Sequence, residues 1–151
     1  MSIVEDDLTD PTVIELLRLH LAGMRENSPS CCVNALDLSR LQSPSVTVWT
    51  AWDGAALAGI GGLKELQPDH GEIKSMRTHP DHMRKGVGRA VLEHIIATAQ
   101  RRGYQRLSLE TGSGPAFDAA LSLYGNYGFE SGEVFGAYES TDFNQFLHLQ
   151  L

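Results

Sequence analysis

Cations are few in this chain and cysteine is almost absent. Twelve Lys and Arg stand against nineteen Asp and Glu, a net charge of −7, and a surface of that sign repels a phosphate backbone over most of its area. A general nucleic-acid binder is therefore excluded. The two cysteines, Cys31 and Cys32, are neighbours, so neither a disulfide framework nor a spaced set of zinc ligands is encoded, and a reducing compartment is expected. No run approaches the roughly 18 apolar residues of a membrane span, and residues 1–10 carry acids where a signal peptide needs cations and an apolar stretch. The expectation is a cytoplasmic protein with no membrane contact. Glycine and proline, 15 and 6 of 151 residues, are close to average usage, which leaves no room for collagen-like or low-complexity readings. That length holds one domain with a full core and not two of ordinary size, so residues 1–151 are read as a single domain.

Hydrophobic spacing orders the elements. Ser2 to Glu5 reads as a short strand. Asp10 and Pro11 give cap and first-turn signals for a helix whose apolar face is Val13, Leu16, Leu17, Leu21 and Met24, up to Arg25, with Asn27 to Pro29 as breaker. Asn34 to Leu41 is a candidate short helix. Val46 to Trp52 and Leu57 to Leu66 are strands joined through the tight-turn pair Asp53-Gly54, and the turn at Asp69 to Gly71 leads into a strand from Glu72 to Thr78. Their short loops make these three antiparallel. Gly88, Val91, Leu92, Ile95, Ile96 and Ala99 keep a helical period as far as Gly103, a C-terminal cap glycine. Arg106 to Thr111 alternates as a strand, Pro115 to Tyr127 returns to the helical period, and Asn144 to Leu151 alternates again. Between them, Glu130 to Asp142 is loose but carries aromatic residues that should pack. Trp49 and Trp52 read as strand packing. The class is mixed α/β.

The most informative segment is His79-Pro80-Asp81-His82-Met83-Arg84-Lys85-Gly86-Val87-Gly88-Arg89. It places two glycines and three cations at the start of the long helix that ends at Gly103, where unpaired N–H groups and the helix dipole favour an anion such as a diphosphate. A nucleotide P-loop is excluded, because it needs a Gly-Lys pair and the chain has none. A dinucleotide fingerprint needs its glycines directly after a strand, whereas Pro80 intervenes and no third glycine or alanine falls in register; Glu110, at the distance of a ribose-binding acid, keeps that reading as a minor alternative.

The stretches Ile73 to Pro80, Arg84 to Leu92 and Leu121 to Phe129, in that order of strand, turn and helix, resemble the GNAT superfamily of acyl-CoA-dependent N-acetyltransferases. The resemblance covers roughly Glu72 to Phe129. It implies a central, mostly antiparallel sheet flanked by helices and acetyl-CoA as co-substrate. It also implies a coenzyme A site formed by Met83, Arg84, Lys85, Gly86, Val87, Gly88 and Arg89, with a bulged strand offering backbone amides at Met76, Arg77 and Thr78. Met83 stands where the family usually has Gln or Arg, Arg84 where it often has glycine, and Phe117 where many members carry Asn. Tyr124 falls in the Leu-Tyr-x-x-x-Gly-Phe pattern, whose tyrosine serves as general acid toward the coenzyme thiolate.

Transfer to an amine also needs a base. Glu72, opening the strand before the turn, and Glu110, ending the strand after the long helix, are the two candidates. His79 and His82 form an H-x-x-H pair with no third ligand at a known spacing, and no metal is assigned. The resemblance thus implies an amine of a small molecule or peptide as acceptor, with a homodimer left open. A non-catalytic acyl-CoA-binding or regulatory domain is the rival. From Glu72 to Arg89, five cations outnumber Glu72 and Asp81, so the rest of the chain is more acidic than the whole. If those acids line the acceptor side, cationic amines are favoured.

Overall fold

Two helix-covered faces of one twisted sheet account for the core. A computed structural model describes residues 1–28 and 38–151. Their order is β1 (Ser2–Glu5), α1 (Pro11–Asn27), α2 (Leu38–Leu41), β2 (Val46–Asp53), β3 (Ala56–Gln67), β4 (His70–Thr78), α3 (Val87–Arg101), β5 (Arg106–Thr111), α4 (Asp118–Asn126), β6 (Glu130–Ser131) and β7 (Gln145–Gln150). The seven strands lie in the order β1-β2-β3-β4-β5-β7-β6. Every neighbouring pair is antiparallel except β4 and β5, which α3 connects as a crossover. The mixed α/β class and the mostly antiparallel sheet are as the sequence predicts. Among the described residues, no helix is long and apolar enough to cross a membrane.

The local signals act where expected. Asp10 caps α1 by accepting from the Thr12 N–H at 2.8 Å, with Pro11 in the first turn. At the other end of α3 the Gly103 and Tyr104 N–H groups donate back to Gln100 and Ala99. The β3–β4 turn falls at Pro68-Asp69, so β4 begins at His70, two residues before the predicted start. Pro115 to Phe117 form a 3-10 turn and the α-helix proper begins at Asp118. Of the predicted helix at 34–41, Leu38–Leu41 is observed and the rest lies outside the described residues, as do Pro29 and both cysteines.

Trp49, Ala58, Leu63, Ile73, Val91, Ile95, Leu107 and Tyr124 belong to the core beneath α3 and α4, while Leu8, Val13, Leu16, Leu41, Val48 and Ile60 form the core beneath α1 and α2. Strand β3 survives its glycines because they let neighbours approach. A Cβ on Gly61 would lie 2.6 Å from both Met76 Sδ and Val91 Cγ1. The predicted packing of the aromatic residues in 130–142 is observed: Phe135 is buried against Tyr138, Phe146 and His148.

Candidate active site

Strands β4 and β5 pair at only three positions, His70↔Arg106, Gly71↔Leu107 and Glu72↔Ser108, and then part. On its other side β4 stays paired to β3 as far as Thr78, with one irregularity: Ser75 and Met76 together oppose Gly61, and Ser75 takes a positive φ of 56°. This bulge shifts the side-chain alternation by one. Glu72 and Lys74 share one face of the strand. Met76 turns to the opposite face beneath α3, and Arg77 returns to the face of α1, where its guanidinium lies against Gly23. A cavity of about 510 Å³ fills the gap between the diverging strands. Its wall includes His20, Met24 and Ile60 from the α1 face, and Val91, Leu123 and Tyr124 from the α3–α4 face. The cavity therefore passes through the sheet.

At one end of the cavity stands the turn leading into α3. Gly86 is the residue before the helix and has a φ of 79°, and Arg84 has a φ of 62°. The left-handed backbone at Arg84 explains why glycine suits that position. No side chain caps α3, so its first N–H groups remain for a ligand. Gly88 lines the cavity, yet a Cβ there would meet only Leu123 and Thr78 at ordinary distances of 3.5 and 3.6 Å. Packing does not require glycine at this position; an approaching ligand would. Arg84 and Lys85 are exposed and hold no ion pair among the described residues. The Val87 side chain is buried in the core, and Arg89 lies on the outer surface of α3 bonded to Glu93 and Tyr127, whose hydroxyl also donates to Glu93. Neither side chain lines the cavity, so at the turn these two residues offer main-chain groups alone. Met76, Arg77, Thr78, Met83 and Gly88 all line the cavity. His79 accepts from the Asp81 N–H through Nδ1 and stacks edgewise on His82, which gives the H-x-x-H pair a structural explanation.

Midway along, Tyr124 is buried with its ring edge-on to Phe129, and its hydroxyl makes no hydrogen bond among the described residues. Burial pushes its pKa up, so the phenol keeps its proton. Phe117 lines the same wall and packs edgewise on Phe143.

On the α1 side, Glu72 is buried and Lys74 Nζ donates to its Oε2 at 3.1 Å. The Tyr138 hydroxyl donates to the same oxygen and accepts from Lys74, both at 2.5 Å. Burial and the Glu72 charge raise the Tyr138 pKa. Glu72 Oε1 receives no donor among the described residues. Glu110 also lines the cavity, where Asn144 Nδ2 donates to it at 3.3 Å. His20 is held neutral, its pKa pushed down to about 4 by burial and by the Arg77 charge. The cavity wall thus carries Glu72 and Glu110 against Lys74 and Arg77 among the described residues. The acidic acceptor side on which a preference for cationic amines depends is not what this wall presents. Lys74, Tyr138 and His20 were not predicted as site residues. Their only sequence signals are a lysine two residues from Glu72, a tyrosine in a loose segment and a histidine on a helix face.

Residues 13–129 match the acetyltransferase (GNAT) family. The chain is similar to YsnE, an uncharacterized N-acetyltransferase of Bacillus subtilis (strain 168), at 51% identity over 91% of both chains. In structure it is similar to a protein of Klebsiella pneumoniae described as an acyl-CoA N-acyltransferase, with a TM-score of 0.83 and 26% identity over 99% of this chain and 97% of that one. It shares its fold with a Bacillus subtilis acetyltransferase solved in complex with CoA, with a TM-score of 0.74 and 22% identity over 99% and 97% of the two chains. These matches define an acyltransferase. The chain belongs to the acetyltransferase (GNAT) family.

Proposed function

We propose that the protein transfers the acetyl group of acetyl-CoA to the amine of a small molecule or peptide, as one domain spanning residues 1–151. The residues present fit the coenzyme: an uncapped helix N-terminus, a left-handed Gly86, a Gly88 that packing does not demand, and the cations Arg84 and Lys85, unpaired among the described residues. In this reading the backbone of Met83 to Arg89 holds the diphosphate, and Met76, Arg77 and Thr78 offer their main-chain groups to the pantetheine along the unpaired edge of β4. When bound, the thioester supplies an activated acetyl group and a thiolate leaving group.

Catalysis asks this chain for two proton transfers. Tyr124, protonated and on the cavity wall, donates to the departing sulfur and is reprotonated by the second proton that the acylated nitrogen sheds. A carboxylate on the α1 side, Glu72 through Oε1 or Glu110, takes the proton of the incoming ammonium. Lys74 and Tyr138 keep the Glu72 carboxylate in place by occupying its other oxygen. The through-sheet cavity lets the acceptor arrive from the face opposite the coenzyme, so both are held at once.

The observation that carries this reading is Tyr124, a buried residue on the cavity wall whose hydroxyl has no hydrogen-bond partner among the described residues. A core tyrosine would normally find one. The test is thiol release from acetyl-CoA with an amine panel. Tyr124→Phe is expected to lower kcat by about 100-fold or more, the scale of general acid catalysis, with coenzyme affinity by calorimetry little changed. A near-normal kcat in that variant returns Tyr124 to a packing role. Glu72→Gln and Glu110→Gln, measured across pH, identify the base by which of them removes the acid limb of the profile.

A further inference from the structure

Arg77 is half-buried in the cavity wall, and its guanidinium has neither an ion pair nor a hydrogen bond among the described residues. This is unusual for a cation with five donors in a fixed fork. Neither carboxylate on the cavity wall, Glu72 or Glu110, forms an ion pair with it. Lys74 holds Glu72, and His20, also on the cavity wall, is neutral with a buried Nδ1 that lacks a partner among the described residues. The structure nonetheless makes room for Arg77 twice. The bulge at Ser75 and Met76 turns it onto the α1 face, and Gly23, one turn before the end of helix α1, leaves the space it occupies: a Cβ at Gly23 would lie 3.1 Å from Nη1. Glycine within a helix is unfavourable, so its presence under the guanidinium indicates a seat built for that group.

We propose that Arg77 is a specificity residue that binds a carboxylate of the acceptor, so that the preferred acceptor is an amino acid or a related small amine bearing a carboxylate. This rests on the acetyltransferase reading above and narrows its substrate class. A carboxylate matches the planar fork in bidentate fashion. With the acid held on the α1 face, the amine of the same molecule points along the cavity toward Glu110 and Tyr124. The backbone of Arg77 remains assigned to the pantetheine, because the strand edge and the side chain face different ligands.

The experiment compares the common amino acids, their α-carboxamides and their decarboxylated amines as acceptors, following thiol release from acetyl-CoA. For the best acceptor, the acid should exceed the amide in kcat/KM by about 30-fold or more, the usual effect of pairing a desolvated charge. Arg77→Met should abolish that preference through KM, its rate with the acid falling to its rate with the amide, while calorimetry still shows CoA binding. Gly23→Ala, which displaces only the flexible end of a side chain, should raise KM for the acid more than for the amide. Equal use of acid and amide by the wild type, or loss of CoA affinity in Arg77→Met, overturns the proposal and leaves the acetyltransferase reading intact. Thiol release with peptides but with no member of this panel also overturns the proposal, and no release with any amine or peptide overturns both.

Discussion

The Tyr138 hydroxyl donates to Glu72 Oε2 at 2.5 Å although 66 positions separate the two residues. The bond ties the segment between β6 and β7 to the wall of the cavity, and Lys74 closes a triangle with both partners. Glu72 and Lys74 are 3% and 8% exposed, so each is tolerated in the interior because the other is there.

Removing one partner should therefore cost more than removing both. Lys74→Met is expected to destabilise the protein by about 3–5 kcal/mol, since it leaves Glu72 buried and unpaired, and the double variant Glu72→Leu/Lys74→Met by clearly less. Urea denaturation of the two variants checks this. Equal losses would mean that the pair is solvated in solution.

His20 links stability to pH. Its pKa in the folded protein is about 4, below the ordinary 6.5, so between those values the unfolded chain binds more protons than the native one. Stability then falls as pH drops from 6.5 to 4 and levels off below that, a loss of roughly 3 kcal/mol at most. In His20→Gln this part of the acid limb should flatten. Chemical denaturation at pH 7.0 and 4.5, with the wild type in parallel, measures it.

Gly88 allows fold and ligand to be moved in opposite directions. Aspartate at the second residue of α3 suits the positive end of the helix dipole, by about 0.3–1 kcal/mol, and packing leaves space for its Cβ. The same carboxylate would repel a diphosphate. Gly88→Asp is expected to keep or raise the melting temperature and to lose measurable CoA binding by calorimetry. A variant that binds normally would place the diphosphate elsewhere.

Much of this was legible in the sequence because local rules set it. Asp10-Pro11, the Asp53-Gly54 turn and Gly103 mark their boundaries through backbone chemistry that acts over a few residues. The glycines and cations from Met83 to Arg89 disclosed the turn for the same reason. The α1 wall of the site was not legible. His20, Lys74 and Tyr138 come from three distant segments, and only the bulge in β4 decides that Arg77 faces α1 instead of α3. A one-residue slip in strand phase leaves no trace in spacing. Tyr138 posed a related problem, since an aromatic residue in an irregular segment signals packing without naming its partner.

Gly59, directly behind the cavity wall, decides the position of that turn. A methyl group added there would sit 2.6 Å from Val87 Cγ1, at the first residue of α3, and 3.1 Å from the Arg77 carbonyl on β4. The absent side chain on β3 acts as the spacer between the two walls to which we assign the coenzyme. Lengthening it by one carbon would lift the start of the helix away from the strand, so the width of the proposed site is set by a residue outside the cavity lining.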